Sequence, residues 1–188
     1  MRKHLPLIFL ALLLVIARVL SAHNITVLAN LQPLGALFFC CAAHHQKRWL
    51  WIPALAWLGT YAYTSASQGY AWNFSGIALV ALGLTAIVAV GHIFRTKSPL
   101  AIFGGSLLAA SAFYFVTNSL SWISDPNYAK TLGGYGQAMW IGLPGYASTW
   151  MFFRNSLVSM SLFTSLFLVA NHHFSPQAAK NPSRVPVI

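Results

Sequence analysis

Carboxylates are all but missing from this chain. Asp125 is the single acidic residue among 188. That leaves no paired carboxylates for general acid–base work and no Asp/Glu relay of the kind that couples protons to transport. Charge of either sign is sparse as well, at 6% of residues, against about 25% in soluble domains. Cysteine appears twice, as the adjacent pair Cys40 and Cys41 inside an apolar run. The pair builds no disulfide framework and reads as two buried small hydrophobes rather than a metal or redox site. A nucleotide loop is also lacking: Gly104-Gly105-Ser106, followed by Ala109, Ala110 and Ala112, has the small-residue pattern of close helix packing. With no nucleophile–base pair in view, the expectation is a protein that is not an enzyme and that carries no cofactor and no metal.

What the chain does have is long apolar stretches. Hydrophobic residues make up 57% of it, and the mean hydropathy is +0.65. The composition predicts an all-α integral membrane protein of about six transmembrane helices, with 1–171 as the membrane domain and 172–188 as a disordered cytoplasmic tail. The formal charge of +10 does not point to nucleic acid, because the basic residues fall in short clusters between apolar runs. Arg2 and Lys3 before the first run resemble a signal peptide, but 5–20 is long for one, contains Arg18 and precedes no clear cleavage site; it is read as a retained span. The second span is expected to enter irregularly, past Asn30, Gln32 and Pro33, and to be helical over 34–43. Further spans are expected over 49–63, 74–94, 100–122 and 147–170. A polar turn over 64–69 closes the third, and Pro99 suits the start of the fifth. The long fifth loop, 123–145, is expected to hold a short amphipathic helix near 139–141.

Six spans place both termini on one side. That side collects Arg2, Lys3, Lys47, Arg48, Arg95, Lys97, Lys180 and Arg184, whereas the other has only Lys130. The bias predicts a multi-pass protein of the bacterial inner membrane with both termini cytoplasmic.

In this topology Arg18 and Arg154 lie within the outer half of the membrane, about one and two turns from its surface. A charge at the bilayer centre costs about 2.5–3.5 kcal/mol on insertion scales, so intramembrane arginines tend to be functional. Polar residues fall at the same depth: His23 and Asn24 after span one; Asn30 and Gln32 in the broken part of span two; Tyr114, Asn118 and Trp122 at four-residue spacing on span five; Trp150 with Arg154 on span six, and Asn155 beside them. Together they predict an outward-facing, cationic, aromatic-lined pocket under the fifth loop. Blander roles stand beside this one: Arg18 snorkelling to lipid phosphates, Arg154 bonding the interrupted backbone of span two, Trp122 and Trp150 in an interfacial belt, and Asn118 bonding a neighbouring helix. His44, His45, His92, His172 and His173 sit near cytoplasmic span ends and are read as interfacial residues, since helical neighbours do not face each other and no carboxylate supports a metal site.

Four segments carry a resemblance. They are Asn30-Leu31-Gln32-Pro33-Leu34-Gly35-Ala36-Leu37, Phe113-Tyr114-Phe115-Val116-Thr117-Asn118 with Trp122, Tyr128-Ala129-Lys130-Thr131-Leu132, and Phe152-Phe153-Arg154-Asn155-Ser156-Leu157. Over about 15–170 the chain resembles a bacterial family of uncharacterised six-span proteins assigned to transport, itself similar to the substrate-binding (S) subunits of energy-coupling-factor transporters. Arg18 with His23-Asn24 resembles that family's entry motif. The resemblance implies an S-subunit-like fold, a small-molecule pocket lined by Arg18, Asn118, Trp122 and Arg154, and an ATPase-bearing energising module as partner. The chain departs from the family in having Val158-Ser159-Met160 where an acid follows the Arg-Asn pair, no acid around Gly59-Thr60-Tyr61, and no evident docking alanines in span one.

Two expectations follow. The first is a substrate-capturing subunit for an anionic or aromatic solute, with the two arginines neutralising it, Trp122 stacking on it and Asn118 orienting it. The second is a non-catalytic accessory subunit of a larger membrane complex, its arginines holding membrane lipids or the carboxylates of other integral membrane subunits.

Overall fold

The structure, a computed structural model, describes residues 4–22, 32–45, 49–69, 71–95 and 97–174. His23, Asn24 and Asn30 lie outside the described residues, as do Arg2, Lys3, Lys47, Arg48, Lys180 and Arg184. Every regular element among the described residues is helical: α1 Leu5–Ala22, α2 Leu34–His44, α3 Trp51–Ser67, α4 Phe74–Ile93, α5 Pro99–Ser124, α6 Leu132–Trp140 and α7 Thr149–Phe174. Three of these, α4, α5 and α7, are long and apolar enough to cross a membrane.

The packing is organised around α2. From Leu34 to Ala43 every residue of this helix but Gly35 is buried. A helix that is apolar all round is stable only when enclosed, and α1, α3, α4, α5 and α7 all contact it. Pro33 stands at its N-cap, and the Pro33 carbonyl accepts the Leu37 amide at 2.8 Å. The expected helix start at Leu34 is therefore what the chain adopts, while the expected irregular entry before Gln32 lies outside the described residues. The remaining elements close the shell: α1 on α3 and α7, α5 between α4 and α7, and α6 against α5 and α7.

Local chemistry sets the helix starts. Asn73 Oδ1 accepts the Gly76 amide at 2.9 Å to cap α4. Ser98 Oγ accepts the Ala101 amide at 3.3 Å, with Pro99 at the first position of α5. Thr131 Oγ1 accepts the Gly134 amide at 3.1 Å to cap α6. Such caps satisfy orphan amides of the first turn.

Three expected boundaries are corrected. The stretch 64–67 is helical, not part of a turn, because its hydroxyls bond back along the helix: Thr64 Oγ1 to the Thr60 carbonyl and Ser67 Oγ to the Thr64 carbonyl, both at 3.0 Å. The helix in the fifth loop spans Leu132–Trp140 rather than 139–141, since the Thr131 cap starts it early. And α7 continues to Phe174, so residues 172–174 belong to a helix and not to a tail.

Close approach of α4 to α5 depends on Gly83. A Cβ there would lie 2.6 Å from Thr117 Cγ2 and 2.7 Å from the Phe113 ring. Two ties hold α6 to α5: the Tyr114 hydroxyl donates to the Met139 carbonyl, and the Ser119 and Tyr135 hydroxyls are 3.2 Å apart. Gly83→Ala should destabilise the protein by about 1–3 kcal/mol, as overpacking does; an unchanged thermal midpoint would show that α4 and α5 are not held this close. Tyr114→Phe should cost about 1 kcal/mol and speed amide hydrogen exchange in α6 while leaving exchange in α4 unaltered.

Candidate functional site

A cavity of about 310 Å³ begins at the first turn of α2 and runs between α4, α5 and α7. Its wall is two chemistries. Leu79, Val80, Leu84 and Ile87 of α4, with Leu34, Phe113, Phe152 and Met160, make the apolar side. Gln32, Thr117, Asn118, Ser121, Ser156 and Ser159 supply neutral polar groups. No charged side chain lines it among the described residues.

Several of these polar groups are already committed. Ser159 Oγ donates to the Gln32 carbonyl at 2.5 Å, fixing the entry to α2 against α7. Thr117 Oγ1 donates to the Phe113 carbonyl at 2.8 Å. Asn118 Nδ2 donates to the Tyr114 carbonyl at 2.8 Å, which leaves its Oδ1 facing no protein donor among the described residues. Asn118 Oδ1, Ser121, Ser156, Thr149 and the side-chain amide of Gln32 therefore form the cavity's available hydrogen-bonding set among the described residues.

Of the residues expected to build a pocket, Gln32, Tyr114 and Asn118 line this cavity. Trp122 serves the neighbouring loop: its Nε1 donates to the Ala129 carbonyl at 2.9 Å, its ring meets Tyr135 at 5.3 Å, and Lys130 Nζ donates to the Trp122 carbonyl and, at 2.7 Å, to the Asp125 carbonyl. In the same loop burial, and then the nearby Asp125 carboxylate, push the Tyr128 phenol above its usual range. Trp150 stacks on Trp140 with centroids 5.8 Å apart. Arg154 lies over Trp150 at 5.5 Å and donates to Asn155 Oδ1 from Nε and Nη2, at 3.3 and 3.2 Å. Arg154 is exposed, so the expected cationic lining is corrected. Arg18, on α1, is half-buried; its Nε is shielded and makes no hydrogen bond among the described residues.

The geometry of α7 explains the miss. Residues two apart on a helix point about 200° apart. Phe152 and Ser156 turn to the cavity, and Arg154 between them turns away. Ser156, Ser159 and Met160 follow Phe152 at helical spacing, a signal that a reading centred on the arginine passes over.

A second polar cluster forms at the opposite end of α2. His45 leaves the helix with extended backbone, φ −114° and ψ 168°. Both His44 and His45 then approach Phe167, at 5.1 and 6.4 Å, and His4 packs on His45 at 5.1 Å and on Trp49 at 4.2 Å. His45 is buried, not interfacial. The expectation that neighbouring histidines diverge fails because the helix ends between them. Among the described residues no three His, Cys, Asp or Glu side chains are disposed to hold a metal ion.

Neither the curated proteins nor the solved structures include a match to this chain. One family profile covers nearly all of it: residues 1–181 match a family of unknown function, DUF6580, and the chain belongs to that family.

Proposed function

We propose that this protein is a six-span membrane subunit that captures a small, uncharged molecule in the cavity between α2, α4, α5 and α7. The observation that carries this is the wall itself: mostly apolar side chains with a small set of neutral polar groups, of which Asn118 Oδ1, Ser121, Ser156, Thr149 and the Gln32 amide have no partner among the described residues. Ligand sites are typically apolar with a few placed polar groups. Among the described residues no cation lines the cavity, so an aromatic or aliphatic molecule with a neutral hydrogen-bonding end suits the site better than the anionic solute that the two arginines suggest.

The six-span reading rests on length as well as on the basic clusters. Besides the three long helices, α1 and α3 have 18 and 17 residues and rise about 27 and 25 Å, close to the ~30 Å hydrocarbon core. By contrast α2, with 11 residues, rises about 16 Å, about half of that core. The nine residues of α6 are too few to cross. The cavity then opens in the outer half, where α2 begins and α5 ends. Capture there, release inward and an ATPase-bearing partner in the bacterial inner membrane make an S-subunit-like, non-enzymatic role. The outward position of Arg154 favours a second reading, an accessory subunit whose arginine meets something outside the bundle.

Native mass spectrometry of the full chain separates the two. The wild type should retain a small organic molecule, and Asn118→Leu should lower its occupancy up to about tenfold, the loss expected for one hydrogen bond. Equal occupancy in both, or no bound molecule with obligate co-purification of a larger complex, would overturn capture. Topology is read by thiol labelling at Lys97→Cys and Leu132→Cys, since Cys40 and Cys41 are buried and Leu132 is exposed. The first should react from the cytoplasmic side only and the second from the outside only; reaction of both from one side would refute six spans.

A further inference from the structure

One face of α7 has no covering element among the described residues. Trp150 (38% exposed), Arg154, Val158 (52%), Leu162 (52%) and Leu166 (36%) succeed one another at four-residue spacing along it. Residues four apart are neighbours on a helix surface, and each such step turns about 40°, so the five residues form one ridge that winds across the exposed side of α7. A single cation thus stands between an aromatic ring at the helix start and an uninterrupted apolar strip. From Arg154 to Leu166 the helix rises about 18 Å, slightly more than half of the ~30 Å hydrocarbon core. The strip has the depth of one leaflet, with the guanidinium at its polar edge.

The cation is held in place and lacks an anion. Asn155 Oδ1 accepts from Nε and Nη2, and the Trp150 ring lies beneath the guanidinium. Trp140 of α6, 63% exposed, extends the aromatic surface by stacking on Trp150. No carboxylate pairs with Arg154 among the described residues; Asp125, the one acid of the chain, accepts from the backbone and side-chain nitrogens of Asn127 through Oδ1.

We propose that this face binds one phospholipid, with the phosphate on Arg154, the headgroup region against Trp150 and Trp140, and an acyl chain along Val158, Leu162 and Leu166. The planar fork of arginine matches phosphate oxygens, and paired tryptophans belong at headgroup level. A second copy of this chain does not fit the site, because it would bring only Asp125. The site is separate from the cavity, whose lining does not include Arg154.

The test uses the full chain in detergent, mixed with phosphatidylglycerol, diacylglycerol or inorganic phosphate, and read by native mass spectrometry. Wild type should keep one phosphatidylglycerol per chain, should not keep diacylglycerol, and should not lose the lipid to inorganic phosphate. Arg154→Ala should lower retention about tenfold, and Arg154→Lys should fall between, keeping the charge but not the fork. Asn118→Leu should leave retention unchanged, which separates this site from the cavity. Should Arg154→Ala not fold, Val158→Trp with Leu162→Trp keeps the cation and blocks the strip, and retention should again be lost. Equal retention in wild type and either disrupted variant would overturn the proposal, as would displacement by inorganic phosphate or a protein subunit found on this face in place of lipid.

Discussion

The enclosure of α2 is the constraint on which the rest of the structure depends. A short helix, apolar on every side, is stable only if neighbours surround it, and five helices do. Small residues allow that approach. A Cβ at Gly91 would meet Ala42 Cβ at 2.8 Å and the Phe39 carbonyl at 3.0 Å, so α4 lies nearly backbone-to-backbone on α2. Because α2 begins only at Leu34, the neighbours α4, α5 and α7 continue past its first turn, and the cavity is found there. Where α2 ends, the chain turns out through His45, and the histidine cluster gathers there. The cavity and the histidine cluster are consequences of the two ends of one buried helix.

Much of this was legible in the residues. Pro33 removes a donor and fixes φ, so a helix starting at Leu34 follows from it. Pro99 behind Ser98 and Asn73 before an apolar run mark helix starts by the same local chemistry. Hydroxyl runs were less legible, because Ser and Thr favour turns yet also bond back to the preceding helical turn. That ambiguity hid the last turn of α3. The helix α6 was obscured by its three glycines, poor helix formers that Thr131 and the ties to α5 hold in helical form.

The site was legible on α5 and illegible on α7. Tyr114 and Asn118 do share the cavity face, as four-residue spacing requires. Trp122, one step further along the same spacing, has passed the end of the cavity and joins the loop instead. On α7 the spacing of Trp150 and Arg154 is equally regular, and the two do meet. Spacing alone does not tell which face of a helix turns inward. The serines at 156 and 159 settle that, because Ser159 reaches the Gln32 carbonyl from the inner face.

Electrostatics explains why the arginine should lie outward. A guanidinium buried between helices needs an anion or several carbonyl acceptors, and an unpaired buried charge is far costlier than one at an interface. The chain has a single carboxylate, held in the loop by Asn127. An inward Arg154 would therefore face Phe152, Ser156 and Met160 with no counter-charge. Turned outward, the same side chain lies on Trp150 near the start of α7. The scarcity of acid in this chain thus acts twice. The cavity is lined by neutral groups among the described residues, and no carboxylate stands inside the bundle there to draw the cation inward.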